Sequence, residues 1–276
     1  MITTSLVKPS TMLAPYIRCY TYREFNTNGY DITKPKHAAN EIAMHFFFSG
    51  LPVKLVDPST AAVLKTGKRS GVSGMSSQFV GEMTFNGLYS FFEIVFRPHG
   101  FQTLFNIPSV EVLNKIAWSE ELFDESINIL HEQLFYCNDA HQMSAVADTY
   151  LLSLLQKKKH TDTRSRISHI IHSIDTKQGL INIDALAVDV NMSIRNFERH
   201  FIENIGIPAK LYCCIARFNH ALGLKLKNPQ LRWTSVAQQA GYFDQTHLIK
   251  DFKKFSGEAP SILLKETPLL VENYTT

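Results

Sequence analysis

The sequence predicts an α+β protein. Its amino-terminal part is a small β-barrel or sandwich with flanking helices, and its carboxyl-terminal part is an all-α double helix-turn-helix joined by a connecting helix. Three observations predict this. Apolar residues alternate with period two in the amino half, the period lengthens to that of a helix after Arg97-Pro98, and one helical plan then occurs twice.

The strands come first. Glu41-Ile-Ala-Met-His-Phe-Phe-Phe48 places Ile42, Met44, Phe46 and Phe48 on one face, and Leu88–Phe96 does the same with Leu88, Ser90, Phe92, Ile94 and Phe96. Between them lie β-prone pieces at Pro52–Asp57, Ala61–Lys65 and Gln78–Phe85, punctuated by Gly50, Pro58, Gly67, Gly71, Gly74, Gly81 and Gly87. Short strands with glycine turns at this rhythm point to a small barrel or sandwich. Two amphipathic helices follow, over Ser119–Tyr136 and His141–Lys159. Met143, Val146, Ala147, Tyr150, Leu151, Leu154 and Leu155 form the apolar stripe of the second, which suits either a lid on the barrel or a dimer contact.

Residues 157–163 are polar and lack apolar anchors, which predicts a linker between an amino-terminal domain (1–156) and a helical domain (164–267), with a tail at 268–276. Ile167, Ile170, Ile171 and Ile174 then mark one helix, and Asp184 is placed to cap Ala185–Val190. Ser193 caps Ile194–Ile205, which stops at Gly206 with Pro208 beyond. Pro208–Lys227 is a longer helix, and after Asn228-Pro229 the plan recurs as Thr234–Ala240, a turn at Gly241-Tyr242, an Asp244 cap and a helix to Phe255.

Composition bounds the function. The chain has 276 residues, and at about 150 residues per domain that suggests two domains. Its 45% hydrophobic and 19% charged residues suit a globular fold. No apolar run approaches the roughly 18 residues a membrane span needs, so no membrane partner is expected. The amino end has no apolar core of a secretory signal. Cys19, Cys137, Cys213 and Cys214 form no CxxC pair, which argues against a disulfide scaffold or zinc finger and for a reducing cytoplasm. Residues 1–160 carry 14 Lys+Arg and 14 Asp+Glu, residues 161–276 carry 14 and 11, so the whole net charge of +3 sits in the carboxyl part. That excess favours a nucleic-acid partner without proving one.

The internal repeat carries more. Ser193, Phe197, Phe201 and Gly206 fall on Asp244, Leu248, Phe252 and Gly257 at an offset of 51, whereas Leu186-Ala187 falls on Val236-Ala237 at 50. The one-residue difference is absorbed in the turn. Each unit is a short helix, a tight turn and a capped helix, which is a helix-turn-helix. With the Phe and Leu positions inward, Arg195, Glu198 and Arg199 point outward on the first capped helix. Gln245, Thr246 and Lys250, with His247 beside them, do so on the second. Arg and Gln form paired hydrogen bonds to guanine and adenine edges, a carboxylate accepts from cytosine, and Lys253 and Lys254 suit phosphates. The alternatives are that these residues solvate a helical surface, or that Glu198 only positions its arginine neighbours.

Gly241-Tyr-Phe-Asp-Gln-Thr-His-Leu-Ile-Lys-Asp-Phe-Lys-Lys-Phe-Ser-Gly-Glu-Ala-Pro260 resembles the signature of AraC-family transcription regulators. Leu186-Ala-Val-Asp-Val-Asn-Met-Ser-Ile-Arg-Asn-Phe-Glu-Arg-His-Phe201 resembles that family's first helix-turn-helix, and Cys214-Ile-Ala-Arg-Phe-Asn-His-Ala-Leu222 its connecting helix. The resemblance spans Arg164–Lys265 and departs at Pro208, which the repeat register would place at position 209. It implies a regulator that sets two recognition helices in successive major grooves, with Arg195, Glu198, Arg199, Gln245, Thr246 and Lys250 at reading positions. Double-stranded DNA is then the partner, with RNA polymerase, a small-molecule effector and a second copy of the chain as further candidates and no cofactor expected. More loosely, Pro15-Tyr-Ile-Arg-Cys-Tyr-Thr-Tyr22, Glu41–Phe48, Phe92-Glu-Ile-Val-Phe-Arg-Pro-His-Gly-Phe101 and Phe105-Asn-Ile-Pro-Ser-Val110 resemble an uncharacterised domain family that precedes AraC-type modules. That implies a sensor or assembly role.

Several residues of the amino half have chemistry of their own. His37, His45 and His99 are either metal ligands on strands or separate structural groups, and no carboxylate stands at a telling spacing beside them. Arg97, after an apolar strand, either holds an anion at a helix start or pairs with Glu93 or a carbonyl. The 19 Phe and 10 Tyr line an apolar ligand cavity or fill a β core. Cys213-Cys214 is a thiol sensor or a packed cysteine beside a half-exposed one. The leading reading is a DNA-binding regulator and not an enzyme. Against it stand a metal-dependent small-barrel enzyme tethered to DNA, for which HExxH, GxSxG and a phosphate loop are all absent from the sequence, and a helix-turn-helix module that assembles protein.

Overall fold

The computed structural model describes residues 2–51, 54–57, 60, 62–156 and 163–263. The chain forms two compact units, one comprising Met1–Thr33, Glu41–Met75 and Gly81–Arg164, the other Lys34–Asn40, Ser76–Val80 and Ser165–Thr276.

Among the described residues the amino half holds ten strands: β1 (Ile2–Val7), β2 (Ile17–Asn26), β3 (Ile32–Lys36), β4 (Ile42–Ser49), β5 (Lys54–Val56), β6 (Val63–Thr66), β7 (Ser70–Ser73), β8 (Gly81–Phe85), β9 (Leu88–Phe96) and β10 (Ile116–Trp118). Six form one sheet in the order β1-β2-β9-β4-β7-β10, and four a second in the order β3-β8-β5-β6. The first sheet is antiparallel at each of its pairs, with Tyr20 opposite Ile94, Met44 opposite Ile94, and Phe46 opposite Phe92.

Its two faces differ. One carries Tyr20, Met44, Phe46, Phe92, Ile94 and Phe96, all buried. Helices cover it: α1 (Gly100–Phe105), α2 (Ser119–Leu122), α3 (Ser126–Phe135) and α4 (Ala140–Gln156) flank the sheet. Phe96 packs edge-on against Phe101 at 5.6 Å, and the Tyr20 hydroxyl donates to Asp148 of α4 at 2.5 Å. The other face carries Phe25, Phe47, Tyr89 and Phe91, which cluster with Phe85 of β8 and so bring the second sheet against the first. This is a sandwich with helices on one side, as the alternating pattern predicts.

A charged row crosses that second face. Thr21, Glu93 and His45 lie opposite one another on β2, β9 and β4. Glu93 accepts from Thr21 Oγ1 at 2.6 Å, lies 3.2 Å from Arg23 Nη1, and sits 3.1 Å from His45 Nδ1. Burial alone would raise its carboxyl, but Arg23 and the hydrogen bonds from His45 and Thr21 outweigh burial and hold it well below the usual carboxylate range.

The second unit is helical: α5 (Thr163–Thr176), α6 (Ile183–Asp189), α7 (Ile194–Ile205), α8 (Ala209–Lys227), α9 (Trp233–Gln239), α10 (Gln245–Ser256) and α11 (Pro260–Leu263). Two segments that connect strands in the amino half belong to it. Ala38 N donates to Phe255 O at 2.8 Å and Phe79 N to Lys254 O at 3.3 Å, so they satisfy carbonyls of the last turn of α10 that have no partner within the helix. The Asn40 side chain donates to Tyr212 O of α8 at 3.0 Å.

The structure corrects several element expectations. The helix expected over Ser119–Tyr136 is two, broken at Phe123-Asp124-Glu125, where Asp124 Oδ1 accepts from Ser126 N at 3.0 Å and so starts α3 afresh. Asn182 caps α6 in place of Asp184, accepting from Ala185 N at 3.0 Å, because Asp184 already lies within the first helical turn. The piece at Gln78–Phe85 is a strand only from Gly81, its first residues having left for the helical unit. Of the linker 157–163, residues 157–162 lie outside the described residues, as does the tail 268–276.

Candidate nucleic-acid interface

Both helix-turn-helix units close by the same backbone turn. In the first, Asn191 adopts the left-handed region (φ 55°) and Met192 N donates to Ala187 O at 2.9 Å. In the second, Gly241 takes that conformation (φ 69°) and Tyr242 N donates to Ala237 O at 2.9 Å. Asn and Gly are the residues that tolerate it most readily. The caps then diverge by one position. Ser193 follows Met192 directly and accepts from Asn196 N at 3.4 Å, whereas Phe243 intervenes before Asp244, which accepts from His247 N at 2.7 Å. Phe243 is therefore the extra residue that separates the offsets of 50 and 51. Both capped helices end on a left-handed glycine, Gly206 (φ 89°) and Gly257 (φ 82°).

Aromatic anchors fix the inward faces. Phe201, fully buried, meets Tyr212 of α8 edge-on at 5.6 Å and stacks on Phe197 at 6.1 Å. Phe252, equally buried, meets Phe218 of α8 at 4.9 Å and Trp233 of α9 at 5.2 Å. Arg217 of α8 lies over the Tyr242 ring at 4.7 Å and 3.7 Å from Asp251, tying the second turn and α10 to the connecting helix.

With these faces inward, Arg195 and Arg199 of α7 and Gln245, Thr246, Lys250, Lys253 and Lys254 of α10 are exposed, each set along one side of its helix. Arg199 reaches Glu203 at 3.9 Å, a surface pair that contributes little and releases the guanidinium readily. Lys254 Nζ stands 5.1 Å from the centre of the Phe255 ring. Glu198 is half-buried, and its Oε2 accepts from Ala209 N at 3.4 Å, the first residue of α8. A carboxylate there complements the positive end of the connecting helix.

The helix-turn-helix domain family matches residues 186–266, the span that holds both units. The carboxyl-terminal part of the chain is a helix-turn-helix domain. It is a DNA-binding transcription regulator that acts through this helix-turn-helix domain. A domain of unknown function (DUF6597) matches residues 5–117, so the sandwich has a recognised domain family but no assigned role. No curated protein matches the chain. Two structures of ToxT from Vibrio cholerae align at 13% and 12% identity, each over 97% of this chain and 99% of ToxT, with TM-scores of 0.48 and 0.47. The AraC-like transcriptional activator CuxR aligns at 10% identity over 100% of this chain and 88% of its own, with a TM-score of 0.22. Likenesses of this strength transfer neither a ligand nor a site.

Elsewhere, the structure shows where the residues stand whose roles the sequence left open. Arg97 Nε donates to Ala14 O at 2.8 Å, so it is held by a carbonyl, while Glu93 pairs with Arg23. Among the described residues, no group of three or more His, Cys, Asp or Glu could hold a metal ion. His37 belongs to the helical unit and His99 to the sandwich; burial lowers both to about 4, with nearby Lys34 and Arg97 adding to it. Cys213 is buried and Cys214 half-buried, and burial pushes the Cys213 thiol up to about 12, which suits packing and not thiolate chemistry. Among the described residues, no helix is long and apolar enough to cross a membrane.

Proposed function

We propose that α7 and α10 lie in successive major grooves on one face of duplex DNA and read its sequence. In this reading Arg195 and Arg199 address one segment, Gln245, Thr246 and Lys250 address the other, and Lys253 and Lys254 hold phosphates. Glu198 keeps α8 in place through Ala209 and would offer its second oxygen to a cytosine amino group. One observation carries the reading: exposed polar stripes rich in Arg, Gln and Lys occupy equivalent helices of two units with the same turn and the same glycine stop.

Helices so placed sit about 34 Å apart, one turn of B-DNA, and should protect two groove segments about 10–10.5 base pairs apart. Selection of bound sequences from a random pool tests this. Arg195→Ala or Arg199→Ala should each weaken the preferred site by about 1–3 kcal/mol and relax the selected motif in one segment only. Lys253→Ala should weaken all sequences alike and reduce the salt slope by about one. An unchanged motif in both arginine variants would leave α10 as the sole reader.

We further propose, on composition, that residues 157–163 join the sensing and reading parts of the sequence, 1–156 and 164–267, ahead of a tail at 268–276. Limited trypsin digestion should cut first at Lys157–Lys159; a first cut within 190–230 would refute the division. The sandwich carries, in this proposal, the sensing or assembly role. Its proposed partners are a small-molecule effector, a second copy of the chain and RNA polymerase. Native mass spectrometry of protein from its host, sedimentation of the chain alone, and promoter transcription with purified polymerase test them in that order.

A further inference from the structure

We infer that Phe243 is a specificity-determining residue whose ring meets the 5-methyl group of a thymine in the groove entered by α10. The inference rests on the DNA reading proposed above. Phe243 is 94% exposed, more than any other large apolar side chain among the described residues. It is also the one residue by which the second turn exceeds the first. Its counterpart in sequence distance from the cap, Met192, is half-buried and takes part in the turn's backbone bond, work that Tyr242 does in the second unit.

An apolar residue just before a helix cap ordinarily folds back onto the fourth helical residue. Here that residue is Leu248, which is fully buried without Phe243, whose ring stays in water. A lone exposed ring is common on protein surfaces, so exposure alone says little. Its neighbours say more. Gln245 and Thr246, the first two residues of α10, are exposed beside it, and Lys250 follows one turn on. The amino-terminal residues of a reading helix are the ones that reach base edges. A phenyl ring has no hydrogen bond to give there and no charge for a phosphate. The apolar feature that the major groove offers is the thymine methyl.

The test replaces thymidine by deoxyuridine, one position at a time, in the duplex that wild-type protein selects from a random pool. Each exchange removes one methyl and no hydrogen bond. Wild type should bind about fourfold more weakly at one position of the segment read by α10, the ratio that about 0.8 kcal/mol per buried methyl group implies. Phe243→Ala should bind the two duplexes equally, and Phe243→Leu should keep part of the discrimination. Indifference of wild type to every exchange overturns the contact, as does a selected motif with no thymine in that segment or methyl sensitivity that persists in Phe243→Ala. Those results leave the wider reading intact. A wild type that selects no motif at all, with Lys250→Ala and Arg195→Ala as silent as wild type, overturns both.

Discussion

Phe252→Ala is expected to lower the stability of the helical unit by about 3–5 kcal/mol, the usual cost of deleting a fully buried phenyl ring. The ring is held between Phe218 and Trp233, so its loss leaves a void shared by α8, α9 and α10 that no flexible neighbour fills. Each unit has one of the chain's two tryptophans, Trp118 in the sandwich and Trp233 in the helical unit. Urea unfolding followed by Trp233 fluorescence in a Trp118→Phe background therefore isolates the effect. Phe201→Ala should cost a similar amount, because Phe201 holds the equivalent place in the first repeat. Losses below about 1 kcal/mol for both would contradict the equivalence of the two units.

Glu93→Ala is expected to cost the sandwich about 3–5 kcal/mol, because it strands the Arg23 guanidinium, whose side chain is only 14% exposed. Glu93→Gln keeps the shape and the Thr21 hydrogen bond, and should cost less. Replacing Arg23 and Glu93 together by Met and Leu should recover most of the loss, since apolar packing substitutes well for a buried pair. The acid dependence follows from the direction of the Glu93 shift. The folded carboxyl titrates below its unfolded value, so its stabilisation is complete above the unfolded value of about 4.3 and declines as the pH falls further. Trp118 fluorescence in denaturant between pH 7 and pH 3, in a Trp233→Phe background, should show that decline with Glu93 in place and a shallower one in Glu93→Gln. Equal slopes would remove Glu93 as its source.

The helical half was legible because its signals are local. Ser193, Gly206, Asp244 and Gly257 are caps and stops whose spacing depends only on the helix they bound, and all four serve as expected. The outward placement of Arg195, Arg199, Gln245, Thr246 and Lys250 follows from where Phe197, Phe201, Leu248 and Phe252 point. What stayed hidden depends on partners distant in sequence. The carboxylate that His45 faces is on β9, and only the strand register brings Glu93 opposite it. Glu198 looks like one more outward polar residue until the start of α8 folds back to meet it. The strand β2, rich in tyrosine and arginine, shows no clean alternation because its buried charged row faces inward beside aromatic rings. Phe243 was masked differently, since the repeat alignment treats an inserted residue as slack.

The strand-connecting segments 34–40 and 76–80 bear on modularity. A reader domain is usually imagined as a cassette, cut at one point in the chain and pasted elsewhere. Here the carbonyls that end α10 are completed by Ala38 and Phe79, encoded far upstream of any single splice point. A chimera that begins at residue 164 would carry both capped helices, α7 and α10, yet leave the second without its finishing backbone partners. Gene fusion and domain shuffling would thus transplant α7 and α10 but not the whole body that holds them, and a recipient scaffold would have to supply two short backbone segments of its own to take their place.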